Sequence, residues 1–242
     1  MRVPFRGGGA PVPVDVPLGV IADAVETVRT ARMLRVLRYA SGSLHEQGLW
    51  DFERHLGIMR TMTPDGPVDR LYTRTEVFRL LSPEEQDETG RVWRREPYRE
   101  EIPDPGRAGT VAALRRLAEP AGAAVETVHG ERLHRFTLRV RTRPGTGDPL
   151  LDALHRRAHA ARARRMAVEA WLTGDGALRQ VREHAVLGNR PRGRAEFDRY
   201  CWDFGVDVGA LAPPAPAQIL DEEAGRGARG LTVLIDGEVS PY

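Results

Sequence analysis

Hydrophobic and polar positions along this chain repeat with two periods, and the period changes at clusters of Gly and Pro. From Pro17 onward Leu18, Ile21, Val25 and Val28 recur at steps of three and four, which predicts an amphipathic helix with Pro17 in its first turn. Strand-like stretches follow. The first is "RMLRVLRYASGSL". The second is "GLWDFERHLGIMRT", with Trp50, Phe52, Leu56 and Ile58 on one side. The third is "RLYTRTEVFRLL", with Tyr72, Phe78 and Leu80 on one face and Arg74 and Glu76 between them. "GRVWRREPY", with Trp93, adds a short strand before a proline-bounded loop. A second helix is expected over Gly109 to Glu119, apolar at Val111, Leu114 and Leu117 and ended by Pro120.

The hairpin "VETVHGERLHRFTLRV" turns at His129-Gly130 and sets Phe136, Leu138 and Val140 on one face. Asp148-Pro149 suits the start of a third helix, predicted from Pro149 to Arg164. "EAWLTGDGALRQVREHA" is a second hairpin with a Gly-Asp-Gly tip, and "AEFDRYCWDFG" is the last long strand. "GLTVLID" closes the chain as a short apolar strand. Helices and strand groups in this order predict an α+β protein with an antiparallel sheet and helices on one side. The 242 residues suit one domain over 17–222, after a Pro/Gly-rich lead over 1–16 and before an extension over 223–242.

Composition narrows the function classes. With 41% hydrophobic and 29% charged residues the chain is globular in type. All 36 basic residues are Arg, yet the formal net charge is only +2, so charge alone does not indicate nucleic-acid binding. A single cysteine, Cys201, excludes an internal disulfide framework and a cysteine-rich zinc module. The amino terminus lacks a signal-peptide core, and no apolar run is long enough to span a bilayer, so the expected location is cytoplasmic. A start further upstream would move that expectation to the cell envelope.

Three segments resemble the actinobacterial LppX/LprG-type lipoproteins. The first hairpin is similar through Gly130 and Phe136. The second matches through Val168, Trp171, Asp175, Gly176 and Arg179. The stretch "WDFGVDVGALAPPAPAQILD" matches through Phe204, Gly205, Val206, Val208, Pro213 and Pro214. The resemblance covers about Val125 to Asp221 and lacks the family's secretion signal and lipobox. It implies a strongly curved antiparallel half-barrel of LolA type, with helices closing the concave side. Trp50, Phe52, Leu56, Phe78, Trp93, Phe136, Leu138, Val168 and Trp171 would then line a cavity for a hydrophobic or acyl-chain ligand.

The candidate chemistry is sparse. His155 and His159 have a two-histidine metal spacing, but Arg-Arg-Ala lies between them and no carboxylate stands where a third ligand or general base should be; no metal and no cofactor is expected. "SGSLHE" brings Ser41, Ser43, His45 and Glu46 together without a nucleophile-elbow context. His55, His134 and His184 read as strand positions, Asp203 and Asp207 as turn residues, and Cys201 as a buried thiol. "RGGGAP" has no preceding strand and no following Gly-Lys-Ser/Thr, so it is not a phosphate loop. Arg156, Arg157, Arg162, Arg164 and Arg165 lie opposite a helical stripe of Leu150, Leu154, Ala158 and Ala161. They form an expected surface for an acidic protein partner or an anionic head group.

The function expected is therefore non-catalytic carriage of a lipid-like ligand. Two alternatives remain open. One is a cyclase or isomerase acting on a hydrophobic intermediate in the same cavity, with His134, Glu169 or Ser43 in play. The other is a regulatory interaction module similar to the sensor domains that act on anti-sigma factors.

Overall fold

The protein is described from a computed structural model over residues 18–39, 42–86, 91–96, 106–160, 163–190, 193–209 and 211–220. Two runs of neighbouring strands make one sheet. β1 (Thr30–Tyr39), β2 (Gly42–Asp51), β3 (Leu56–Thr63), β4 (Gly66–Tyr72), β5 (Val77–Leu80) and β6 (Trp93–Glu96) form the first run. β7 (Ala118–Val128), β8 (Glu131–Val140), β9 (Ala163–Leu172), β10 (Leu178–Arg190) and β11 (Gly193–Trp202) form the second. β1 pairs antiparallel with β11 and joins them. With the two-residue β12 (Ile219–Leu220), parallel to β6, the order is β12-β6-β5-β4-β3-β2-β1-β11-β10-β9-β8-β7.

Three helices, α1 (Leu18–Glu26), α2 (Gly106–Arg116) and α3 (Pro149–Ala160), lie side by side against the second run. Arg115 links α2 to Asp23 and Glu26 of α1 at 2.7 and 2.6 Å, and Arg116 reaches Asp148 ahead of α3 at 2.8 Å. Asp148 Oδ1 accepts the Leu150 N–H at 2.9 Å and caps α3. The helices bury Ile21, Ala22, Val25, Leu114 and Leu151 against Phe136, Leu138, Val140, Val168 and Ala170. In the third helix the inward position is Leu151, while Leu150 is exposed.

The first run buries Met33, Met59 and Val77 on the helix side but has its apolar cluster on the other face. Following the register across β2 to β6, Leu56, Leu71 and Phe78 fall on the side away from the helices. There they pack with Trp93, Leu211 and Ile219. The segment ending in β12 is held by the Val92 N–H, which donates to the Gln218 carbonyl at 3.0 Å, and by Arg54 Nη1 on the Leu211 carbonyl at 3.0 Å.

Several sequence expectations change here. "GLWDFERHLGIMRT" is two strands, because Asp51 Oδ1 accepts the Glu53 and Arg54 N–H groups at 3.0 and 2.9 Å and turns the chain, with His55 at φ 52°. Tyr72 and Phe78 lie on opposite faces because the chain turns between β4 and β5, where Thr73 N–H donates to the Glu76 carbonyl at 2.9 Å. The second helix ends at Arg116, and Pro120 lies within edge strand β7, beside a register shift at Gly122. The third ends at Ala160, so Arg164 and Arg165 belong to β9 rather than to a basic helix. The first helix, both hairpins and the strand after the second hairpin stand close to their expected places. "GLTVLID" lies outside the described residues.

The half-barrel is not found. The sheet ends in β12 on one side and β7 on the other, and it is neither closed nor strongly curled. The physical reason for the missing cavity is twofold. Helix side chains fill the apolar face of the second run directly, and the same face of the first run carries Arg70, Arg79 and Arg94.

Two substitutions test this packing. Leu114→Ala, at a fully buried position, is expected to lower the unfolding free energy by about 2–5 kcal/mol in urea titration. Leu80→Ala, at an exposed position on β5, is expected to change it by no more than about 0.5 kcal/mol. Equal losses would count against a helix-on-sheet core.

Candidate functional site

The charged residues of the sheet form two networks, one on each face. On the helix side, Glu183, Arg199, Arg35, Glu46 and Thr61 stand opposite one another on β10, β11, β1, β2 and β3. Arg199 pairs with Glu183, which also accepts Thr110 Oγ1 from α2 at 2.6 Å. Glu46 accepts Thr61 Oγ1 at 3.0 Å and lies 3.8 Å from Arg35. The Arg35 guanidinium stands 5.2 Å from the Trp50 ring and 5.3 Å from the Tyr72 ring, a cation–π contact on both. Trp50 in turn lies over Gly57, where a Cβ would come within 2.0 Å of the ring. Burial and the Glu46 carboxylate push the Tyr72 hydroxyl up to about 12. Further along, Glu96 takes Arg70 at 2.8 Å and Arg79 at 3.7 Å, and Glu85 takes Arg79 at 2.7 Å. The Arg79 hydrogen bond holds Glu85 down to about 2.

On the opposite face the centre is Asp198, which has no exposed surface. Arg38 of β1 donates to one carboxylate oxygen. Arg182 and His184 of β10 meet the other, Arg182 Nε at 2.8 Å and His184 Nδ1 at 2.9 Å. Burial opposes ionisation, but these partners outweigh it and hold the Asp198 carboxyl down to about 2. Arg182 continues to Glu169 at 2.9 Å and lies over the Tyr200 ring at 5.3 Å. Beyond Glu169, Glu126 takes Arg135 at 2.9 Å and Trp171 Nε1 at 3.0 Å. On β3 and β4 Arg60 forks onto both oxygens of Asp69, each at 2.7 Å.

The nine residues expected to line one cavity are divided between the faces. Phe136, Leu138 and Val168 lie under the helices, and Trp50 lies on the same side beside Arg35. Leu56, Phe78 and Trp93 belong to the cluster on the other side, and Trp171 also faces that way, bonded to Glu126. Phe52, in the turn after β2, borders a pocket of only about 30 Å³ between α1, α2, β10 and β11. Ligand pockets need about 300–1,000 Å³. Carriage of an acyl chain and catalysis in a greasy cavity therefore both lose their site, and with the half-barrel goes the likeness to anti-sigma-factor sensor domains.

The remaining candidates are dispersed. Ser43 Oγ lies 2.8 Å from His45 Nε2, but Glu46 points to the opposite face, so the run assembles no triad; Ser41 lies outside the described residues. The His155 and His159 rings are 6.2 Å apart, and among the described residues no three His, Cys, Asp or Glu side chains gather as a metal site. Arg156 is exposed on α3; Arg162 lies outside the described residues, and Arg157, Arg164 and Arg165 are placed by backbone only. Asp203 accepts Arg32 Nε at 2.8 Å, and Asp207 Oδ1 accepts the Gly209 N–H at 2.7 Å in a turn. Burial pushes the Cys201 thiol up to about 12, which keeps it protonated and a poor nucleophile. The sequence reading missed Asp198, Arg38, Arg182 and Arg35. Their only sequence signal is a charge at a strand position, and the strand partners that give it meaning are far away in the chain.

No family profile and no curated protein matches the chain. Among solved structures, an uncharacterized conserved protein from Thermus thermophilus is 12% identical with a TM-score of 0.37, over 84% of this chain and 97% of its own. A DUF1329 family protein from Desulfovibrio piger is 10% identical with a TM-score of 0.25, over 78% of this chain and 92% of its own. At such scores neither likeness bears on fold or function. The resemblance to LppX/LprG-type lipoproteins is not upheld.

Asp198 carries a pH prediction. Its folded value of about 2 lies below the ordinary 3.8, so its contribution is complete above pH 4 and falls away as pH drops toward 2. The amount is on the order of 2 kcal/mol. Asp198→Asn should be less stable than wild type at pH 6, with the gap narrowing by about that amount by pH 2 in denaturant titrations. A gap independent of pH would show that Asp198 is not held ionised by its partners.

Proposed function

We propose that this chain is a binding protein that docks an acidic protein segment on the sheet face opposite the helices, over β8–β11 and β1–β3. The observation that carries the reading is the depth of the charges. The carboxylates of Asp198, Glu169, Glu126 and Asp69 are 0, 13, 14 and 17% exposed. Their partners Arg38, Arg182, Arg135 and Arg60 are 43, 24, 30 and 54% exposed. Short acids lie at the sheet and long arginines lie over them, so an approaching molecule meets guanidinium groups although the charges nearly balance. Arg139, on the same face of β8, is exposed as well.

The chemistry suits carboxylates. A guanidinium has more N–H donors than one carboxylate accepts, and its planar fork matches a second carboxylate in bidentate geometry. The more exposed Arg60–Asp69 pair adds only about 0–1 kcal/mol to folding, so Arg60 can turn to a partner at small cost, while Arg38 keeps one donor on buried Asp198 and offers its remaining N–H groups. A row of guanidinium groups spaced by the sheet would recognise a row of acidic side chains, with on-rate and affinity both sensitive to salt.

The test is fluorescence anisotropy with a labelled polyglutamate peptide and a polyglutamine peptide of equal length. The expected result is preferential binding of polyglutamate that weakens with salt and drops about tenfold in an Arg38→Gln/Arg60→Gln double variant, each lost charge contact being worth about 0.5–1 kcal/mol. Equal binding of the two peptides, or a double variant that binds like wild type, would overturn the reading.

A further inference from the structure

A small pocket lies where the end of α1, the start of α2 and strands β10 and β11 meet. Arg107, Arg199, Glu183, Thr110, Cys201 and Phe52 are among the residues that line it. Glu183 is engaged by Arg199 and by the Thr110 hydroxyl. Arg107 differs. Its Nη1 is buried and has no hydrogen-bond acceptor, and among the described residues it makes no ion pair. Its guanidinium lies over the face of the Phe52 ring, 5.5 Å away.

Among the described residues, the acids whose fields reach Arg107 are matched to other cations. Glu26 is held by Arg115 at 2.6 Å, Asp51 by Arg54 at 2.5 Å, and Glu53 lies 3.9 Å from Arg29. Removal from water outweighs their attraction and lowers the Arg107 pKa, as expected for an under-compensated charge. Arg107 also stands in the first turn of α2, where the helix dipole disfavours a cation and that turn holds no acidic residue. A buried charged donor without an acceptor is costly, and an anion beside it would remove that cost.

We propose that this pocket binds a small monovalent inorganic anion of chloride's size, held by the Arg107 guanidinium with Arg199 as the second cation. The volume of about 30 Å³ is enough for a monatomic ion and well below the roughly 300 Å³ at which organic-ligand pockets begin. Cys201 takes no part, because its thiol stays protonated. The site does not depend on the docking face, which lies on the other side of the sheet.

Chloride NMR line widths, titrated against wild type, Arg107→Gln and Arg60→Gln, test the proposal directly. Saturable broadening in wild type and Arg60→Gln, lost in Arg107→Gln, is expected. Broadening that persists in Arg107→Gln, or none in wild type because the pocket holds only water, would overturn it. Thermal melts of wild type guard against a misfolded variant. At equal ionic strength, chloride should raise Tm over gluconate by about 4 °C at roughly tenfold saturation, and an equal Tm in both salts would likewise overturn it.

Discussion

The pairing of β1 with β11 is the joint on which the structure depends. It is the only link that turns two strand runs into one sheet among the described residues, and it joins positions as far apart as Arg38 and Asp198, 160 residues along the chain. Closing so long a loop costs little more than closing a short one, because the entropy grows only with the logarithm of length. What must be specified is the register. Asp198 does this, since its buried carboxylate draws cations from β1 and β10 at once. A slip of one residue would turn Asp198 toward the helix side and leave Arg38 and Arg182 without their acceptor.

The second constraint follows from the change of apolar side across that joint. Under the helices the second run is packed with aliphatic and aromatic side chains, while the first run buries a cluster of Leu56, Leu71 and Phe78 on the opposite face beneath the segment ending in β12 and keeps Met33, Met59 and Val77 buried on the helix side. Each face of the sheet therefore has its main apolar cluster over one half, and ion pairs interrupt the apolar positions over the other. Such a sheet has no continuous greasy surface for an acyl chain. It carries instead two ionic networks, one on the helix side and one on the opposite face. Removing one member of the buried clusters would leave a charge without its partner, which is why they act as fixed parts of the architecture.

Some of this was legible from residues alone. The three- and four-residue steps of Ile21, Val25 and Leu114 located helices α1 and α2, and His129-Gly130 located a turn, with φ of 51° and 83°. Other boundaries were hidden by ambiguous chemistry. Phe52 looks like a strand residue although Asp51 turns the chain there. The Ala/Arg run after Ala160 fits a helix as well as a strand, so the entry to β9 was not visible. The site was hidden for a different reason. Asp198 in "AEFDRYCW" is one acid among aromatics, and its meaning comes from Arg38 and Arg182 on other strands.

By itself the sequence determined the local periods, the principal turns, a single cysteine and a charge carried on the basic side entirely by arginine. A period of two says that residues i and i+2 share a face; it does not say which face meets the helices or which strand lies alongside. Only the tertiary structure decided that Leu138 lies under the helices while Phe78 lies on the other side of the sheet. It also decided that Arg38, Arg182 and His184 converge on one carboxylate. Both depend on pairing between distant strands, and no local pattern of side chains encodes a non-local register.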